Sequence, residues 1–80
     1  MAVKEIVVKR FLDIINEREM TPNELARSSG VSPSTVYSMM SGDRKDISIV
    51  TIKKLLDGLG MTLGEFFSCD DFDNMEQEIK

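Results

Sequence analysis

The chain has no histidine, no tryptophan and one cysteine, and its 80 residues include two prolines. Without histidine there is neither an imidazole metal ligand nor an imidazole general base. A lone Cys69 forms no internal disulfide, and the chain is expected to be cytoplasmic. No run approaches the roughly 18 consecutive apolar residues of a membrane span. The start, MAVKEIVVKRF, is broken by Lys4, Glu5, Lys9 and Arg10, so no signal peptide is expected. With no catalytic histidine, no cysteine pair and no phosphate-cradling glycine loop, the chain is expected not to be an enzyme, and to use no cofactor or metal. The Asp70, Asp71, Asp73 cluster lacks the glycine and closing glutamate of a calcium loop.

What is present is enough for one small domain. Hydrophobic residues make up 41% of the chain. With four Phe, one Tyr and six Met, the core must be mostly aliphatic and methionine. The net charge of −4 is unevenly placed. Residues 1–67 carry nine basic and nine acidic side chains, and residues 68–80 carry five acids and one lysine. The body is therefore neutral and the whole excess sits in the tail. The expected organisation is a domain over 1–67 and an acidic, flexible tail over 68–80.

Periodicity and caps place the helices. Val7, Val8, Phe11, Leu12, Ile14 and Ile15 recur at helical spacing from Val3 to about Arg18. Thr21-Pro22-Asn23-Glu24 is a capping box with proline at the first helical position, and it opens a helix that stops at Gly30. Ser32-Pro33 repeats the device and opens a third helix through Met40 or Ser41, with Gly42 as its stop. Asp43-Arg44-Lys45-Asp46 is a charged loop. A fourth helix begins at Ser48 or Ile49, turns Ile52, Leu55, Leu56 and Leu59 inward, and ends at Gly60. Thr62-Leu63-Gly64-Glu65 opens a short fifth helix carrying Phe66 and Phe67. Phe66 is expected in the core, with Phe67 or Phe72 exposed as a candidate dimer contact. With no period-2 run, the fold class is all-α: a compact five-helix domain.

Ala26, Gly30 and Val36 suit two short helices crossing at roughly 90–120° on a turn of about 3–4 residues. A methyl fits at the crossing, a glycine tolerates the turn, and a valine points back from the second helix. Taken with the segments MTPNELARSSGVS, STVYSMMSGD and ISIVTIKKLLDGLGMTLGEFF, the chain resembles the Cro/lambda-repressor-like (XRE-type) helix-turn-helix regulators over roughly residues 4–67.

The resemblance implies a sequence-specific DNA-binding transcriptional regulator, a repressor, whose third helix docks in the major groove of double-stranded operator DNA as a homodimer. It places Ser32, Pro33, Ser34, Tyr37 and Ser38 where base edges or nearby phosphates are reached, with Thr35 close by or serving the helix start. Asn23 or its amide would meet a phosphate at the second helix, and Arg44 and Lys45 would add phosphate contacts.

The chain departs from the family pattern in three ways. Pro22 stands where glutamine is frequent and has no N–H to donate. The third helix lacks the Gln, Arg or Asn of bidentate base contacts, which implies weak direct readout and reliance on groove shape or partners. Met40 and Ile15 stand where a Glu–Arg pair is common, which implies a packing contact in place of an ion pair. The neutral body, the acidic tail and the serine-rich third helix also fit a second reading: a protein-interaction module on the same fold, antitoxin-like or antirepressor-like.

Overall fold

The computed structural model describes residues 2–41, 46–75 and 77–79. Their order is α1 (Val3–Glu17), α2 (Pro22–Ser29), α3 (Pro33–Met40), α4 (Ile49–Leu59), α5 (Leu63–Phe67) and α6 (Asp70–Asp73). Among the described residues there is no strand, and no helix is long and apolar enough to cross a membrane. The expected Gly42 stop and the Asp43, Arg44, Lys45 part of the loop lie outside the described residues.

The helix ends follow from local chemistry. At α2, Thr21 Oγ1 accepts from the Glu24 N–H at 3.2 Å, and the Glu24 carboxylate accepts from the Thr21 N–H at 3.0 Å. The N–H groups of Thr21 and Glu24 are thereby satisfied. Gly30 closes α2 with φ +66°, a left-handed conformation that costs other residues steric strain. The Val31 N–H then reaches Ala26 O at 3.1 Å, and the Gly30 N–H reaches Arg27 O at 3.5 Å. This paired Schellman closure recurs after α4, where Met61 and Gly60 donate to Leu56 and Asp57. Val31 and Met61 both pack against the core beneath their turns.

The core is wholly apolar among the described residues. Phe11, Ile14 and Ile15 of α1 meet Leu25 and Ala26 of α2, Val36 and Met39 of α3, and Leu55, Leu56 and Leu59 of α4 in one buried cluster. Ile15 is buried and Met40 packs against this cluster, so the position of the usual ion pair is apolar here. Helices α2 and α4 approach closely. Gly58 lies against the Ser28–Ser29 backbone, and Ser29 Oγ donates to Leu55 O at 3.4 Å.

Three cations close helix ends from a distance. Arg18 donates to Leu59 O at 2.7 Å, meeting the last carbonyl of α4. Arg10 donates to Phe66 O at 3.1 Å and Glu65 O at 3.3 Å, at the end of α5. Lys4 Nζ donates to Ser41 O, just past α3. Each supplies a positive charge where a helix presents unpaired carbonyls.

Five helices were expected and the described residues form six. The acidic stretch after Ser68 offers no apolar periodicity, yet Phe72 is only 7% exposed. Its ring meets Phe67 edge-on at 4.8 Å and lies tilted 5.9 Å from Phe66, and that burial draws Asp70–Asp73 into a helical turn on α1. Asp71 lies 3.7 Å from Lys9. The expectation that Phe72 is free for a dimer contact is overturned by the same burial; Phe67 is half-buried.

The α5 cap has a pH consequence. The Thr62 backbone N–H, and secondly its side chain, hold the Glu65 carboxyl below the ordinary value of 4.5. A lowered carboxyl pKa stabilises the fold above the unfolded value, and the contribution disappears as pH falls through the folded one. Glu65→Gln retains the capping geometry without the charge. It is expected to be less stable than the wild type at neutral pH, with the gap closing on acidification in paired urea titrations.

Candidate nucleic-acid interface

Three residues, Gly30 to Ser32, separate α2 from α3. Val36 and Met39 seat α3 in the core, and the helical period then turns Ser34, Tyr37 and Ser38 away from it, with Pro33 and Thr35 on the flanks. Tyr37 is 51% exposed. Ser32, Pro33, Ser34 and Thr35 are exposed, and Ser38 is half-buried. The six positions expected to reach DNA from this helix thus form one surface. That surface carries no charged side chain.

The start of α3 is organised by hydroxyls. Ser32 Oγ accepts from the Thr35 N–H at 3.3 Å. It also lies 2.8 Å from Thr35 Oγ1 and 3.3 Å from Ser34 Oγ. Thr35 therefore serves the helix start, the second of the two roles open to it in the sequence. Because Pro33 has no N–H and the Thr35 N–H is engaged, the Ser34 N–H is the first-turn donor left outside the cap. The arrangement at α2 is the same. Pro22 has no N–H, Glu24 and Leu25 donate to Thr21, and the Asn23 N–H remains. Each helix start thus presents one amide donor for an anion.

Asn23 and Arg27 share the outer face of α2, four residues apart and both exposed. Sequence reasoning passed over Arg27, although it lies inside the two-helix unit next to the buried Ala26. Lys9 pairs with Asp13 and Asp71, and Lys53 with Asp57. Arg10, Arg18 and Lys4 are spent on carbonyls. Arg27 and Lys54 have no such partner among the described residues, so they are the cations most available to an outside anion. Arg44 and Lys45, expected to add phosphate contacts, lie outside the described residues.

A short helix, a three-residue glycine turn and a second helix with an exposed polar face, braced by the four further described helices, define a helix-turn-helix DNA-binding scaffold. The sequence model of the Cro/C1-type HTH DNA-binding domain matches residues 10–71, and the chain belongs to that family. The fold is similar to that in the crystal structure of the prophage Lp1 protein 11. The TM-score is 0.81 and the identity 29%, over 94% of this chain and 100% of that one. No curated protein sequence is significantly similar.

Proposed function

We propose that the protein is a sequence-specific transcriptional repressor that acts in the cytoplasm by placing α3 in the major groove of its operator. Two copies would occupy a two-fold site with half-sites one helical turn apart, about 34 Å, and exclude polymerase. The observation that carries this reading is the surface of α3. Its five outward residues are hydroxyl-bearing or apolar, and two buried anchors hold it clear of the core.

In this arrangement Ser34, Tyr37 and Ser38 face base edges. Ser32, Pro33 and Thr35 set and flank the helix start. The Asn23 amide, with Arg44 and Lys45, holds phosphates, and Arg27 is added to that set. Phosphate contacts position the protein, while base contacts specify the site.

The test is fluorescence anisotropy on duplexes from the protein's own promoter region, over a salt series. Log affinity is expected to fall linearly with log salt, by about 0.9 per phosphate contact. Replacing Arg44 and Lys45 together with alanine should flatten the slope by roughly 1.8 if each holds one phosphate. A flat salt dependence in the wild type, or no binding at low salt, would sink the reading. The protein-interaction alternative is favoured instead if Arg44→Glu with Lys45→Glu leaves cellular activity intact while abolishing DNA binding.

A further inference from the structure

We infer that the DNA this protein reads is marked by thymine C5-methyl groups, with the ring of Tyr37 as the specificity-determining surface. The inference rests on the docking of α3 proposed above and adds the chemistry of what it recognises.

Guanine, adenine and cytosine are distinguished in the major groove by polar edges. Guanine calls for Arg or Lys on O6 and N7, adenine for Asn or Gln on N6 and N7, and cytosine for a carboxylate on N4. The exposed surface of α3, from Pro33 to Ser38, has none of these side chains. It offers hydroxyls, which donate or accept and so fit several base edges without choosing between them.

The three hydroxyls at the helix start are already engaged with one another, since Ser32 Oγ lies 2.8 Å from Thr35 Oγ1 and 3.3 Å from Ser34 Oγ and also takes the Thr35 N–H. Thr35 is exposed with its oxygen tied back, which leaves its methyl as the unengaged part. Beside it stand the Pro33 ring and the half-exposed Tyr37 ring. The one feature of the major groove that an apolar surface can tell apart is the thymine methyl. Tyr37 supplies the largest such surface. Its ring is carried one residue beyond Val36, which is fully buried, so the backbone beneath it is pinned.

The test uses the full chain and a duplex enriched by it from a random-core library. The duplex is remade with deoxyuridine at each thymine in turn, which removes the methyl and leaves the hydrogen-bonding edge unchanged. Affinity is expected to drop about four-fold at each contacted position, the size of one buried methyl group. In Tyr37→Ala the thymine-to-uracil ratio at the strongest position should collapse to about one, whereas Tyr37→Phe should keep it. Duplexes with 7-deazapurines should bind as the parent does.

Uracil tolerated at every thymine, in a duplex that still binds tightly and specifically, overturns this inference alone. A loss on the order of ten-fold at any 7-deazapurine, the size of a bidentate contact, overturns it as well. No enrichment from the library overturns the inference together with the proposed function. The uracil series on the wild type needs no variant, so it stands even if Tyr37→Ala does not fold.

Discussion

Gly58→Ala is expected to destabilise the protein by about 2 kcal/mol or more, where the same change at an open helix position would stabilise by about 1 kcal/mol. The sign is reversed by the approach of α2. A Cβ on residue 58 would lie 2.1 Å from Ser29 Oγ, 2.9 Å from Ser29 Cα and 3.0 Å from the Ser28 carbonyl carbon. The first contact can be relieved by rotating a short side chain, at the cost of its bond to Leu55 O. The other two are backbone and yield only if α2 and α4 move apart. For a domain of this size the loss should lower Tm by roughly 10 °C or more. Adding Ser29→Ala to Gly58→Ala should restore only a minor part, because the backbone clashes remain. Thermal and urea denaturation followed by circular dichroism measure both. A Tm at or above that of the wild type would show that the helices are not held this closely. If Asn23 and Arg27 hold phosphates as proposed, DNA affinity should weaken in parallel.

Phe66→Ala is expected to have the largest effect of any single core truncation near the C-terminus, about 3–5 kcal/mol. Phe66 is fully buried. Its ring lies 4.5 Å from Phe11, 5.0 Å from Phe67 and 5.9 Å from Phe72, and the Arg10 guanidinium lies 5.9 Å from its centroid. Truncation leaves a cavity bounded by rings that cannot collapse into it. It also removes aromatic pairs worth about 0.5–1.5 kcal/mol each beyond their burial. Against a total stability of roughly 5–15 kcal/mol, the loss would take much of the margin. Amide hydrogen exchange should show α6 losing protection first, because Phe72 packs on the deleted ring. Phe66→Leu, which fills most of the volume, should cost clearly less. A loss below about 1 kcal/mol for Phe66→Ala would mean that this ring is not the support of the C-terminal helices.

These two positions differ in how far the sequence reveals them. Phe66 follows a capping box at the right interval and reads as core directly. Gly58, within LLDGLG, reads only as a weak point in a helix. Its reason is a neighbour 29 residues away. Arg10 and Arg18 look like solvated cations on an amphipathic helix, yet they reach carbonyls 56 and 41 residues downstream. The expected limits of α2, from Pro22 to Ser29, agree with the structure because Thr21, Pro22, Glu24 and Gly30 act within one turn of where they stand. The sixth helix was illegible for the opposite reason. Four residues, three of them aspartate, have no helical signature, and the docking of Phe72 on Phe66 and Phe67 seats them. Within the candidate interface, the sequence marked Val36 as the inward residue of α3, and the outward set was implied by the family resemblance; the burial of Met39 completes the inner face. The engagement of Thr35 with the Ser32 cap was one of two roles the sequence left open.

By itself, then, the sequence determined the helices from α1 to α5, the two-helix unit between Thr21 and Met40, and the Cro/C1-type family. Caps, prolines, glycines and 3.6-residue periodicity operate between residues within about one or two turns of each other, so they are written in nearby letters. Only the tertiary structure decided why residue 58 is glycine, which cations are consumed in closing helix ends, that Phe72 is buried, and which cations among the described residues lack an internal partner. Those outcomes depend on distances between segments tens of residues apart, and such distances are set by how the helices pack.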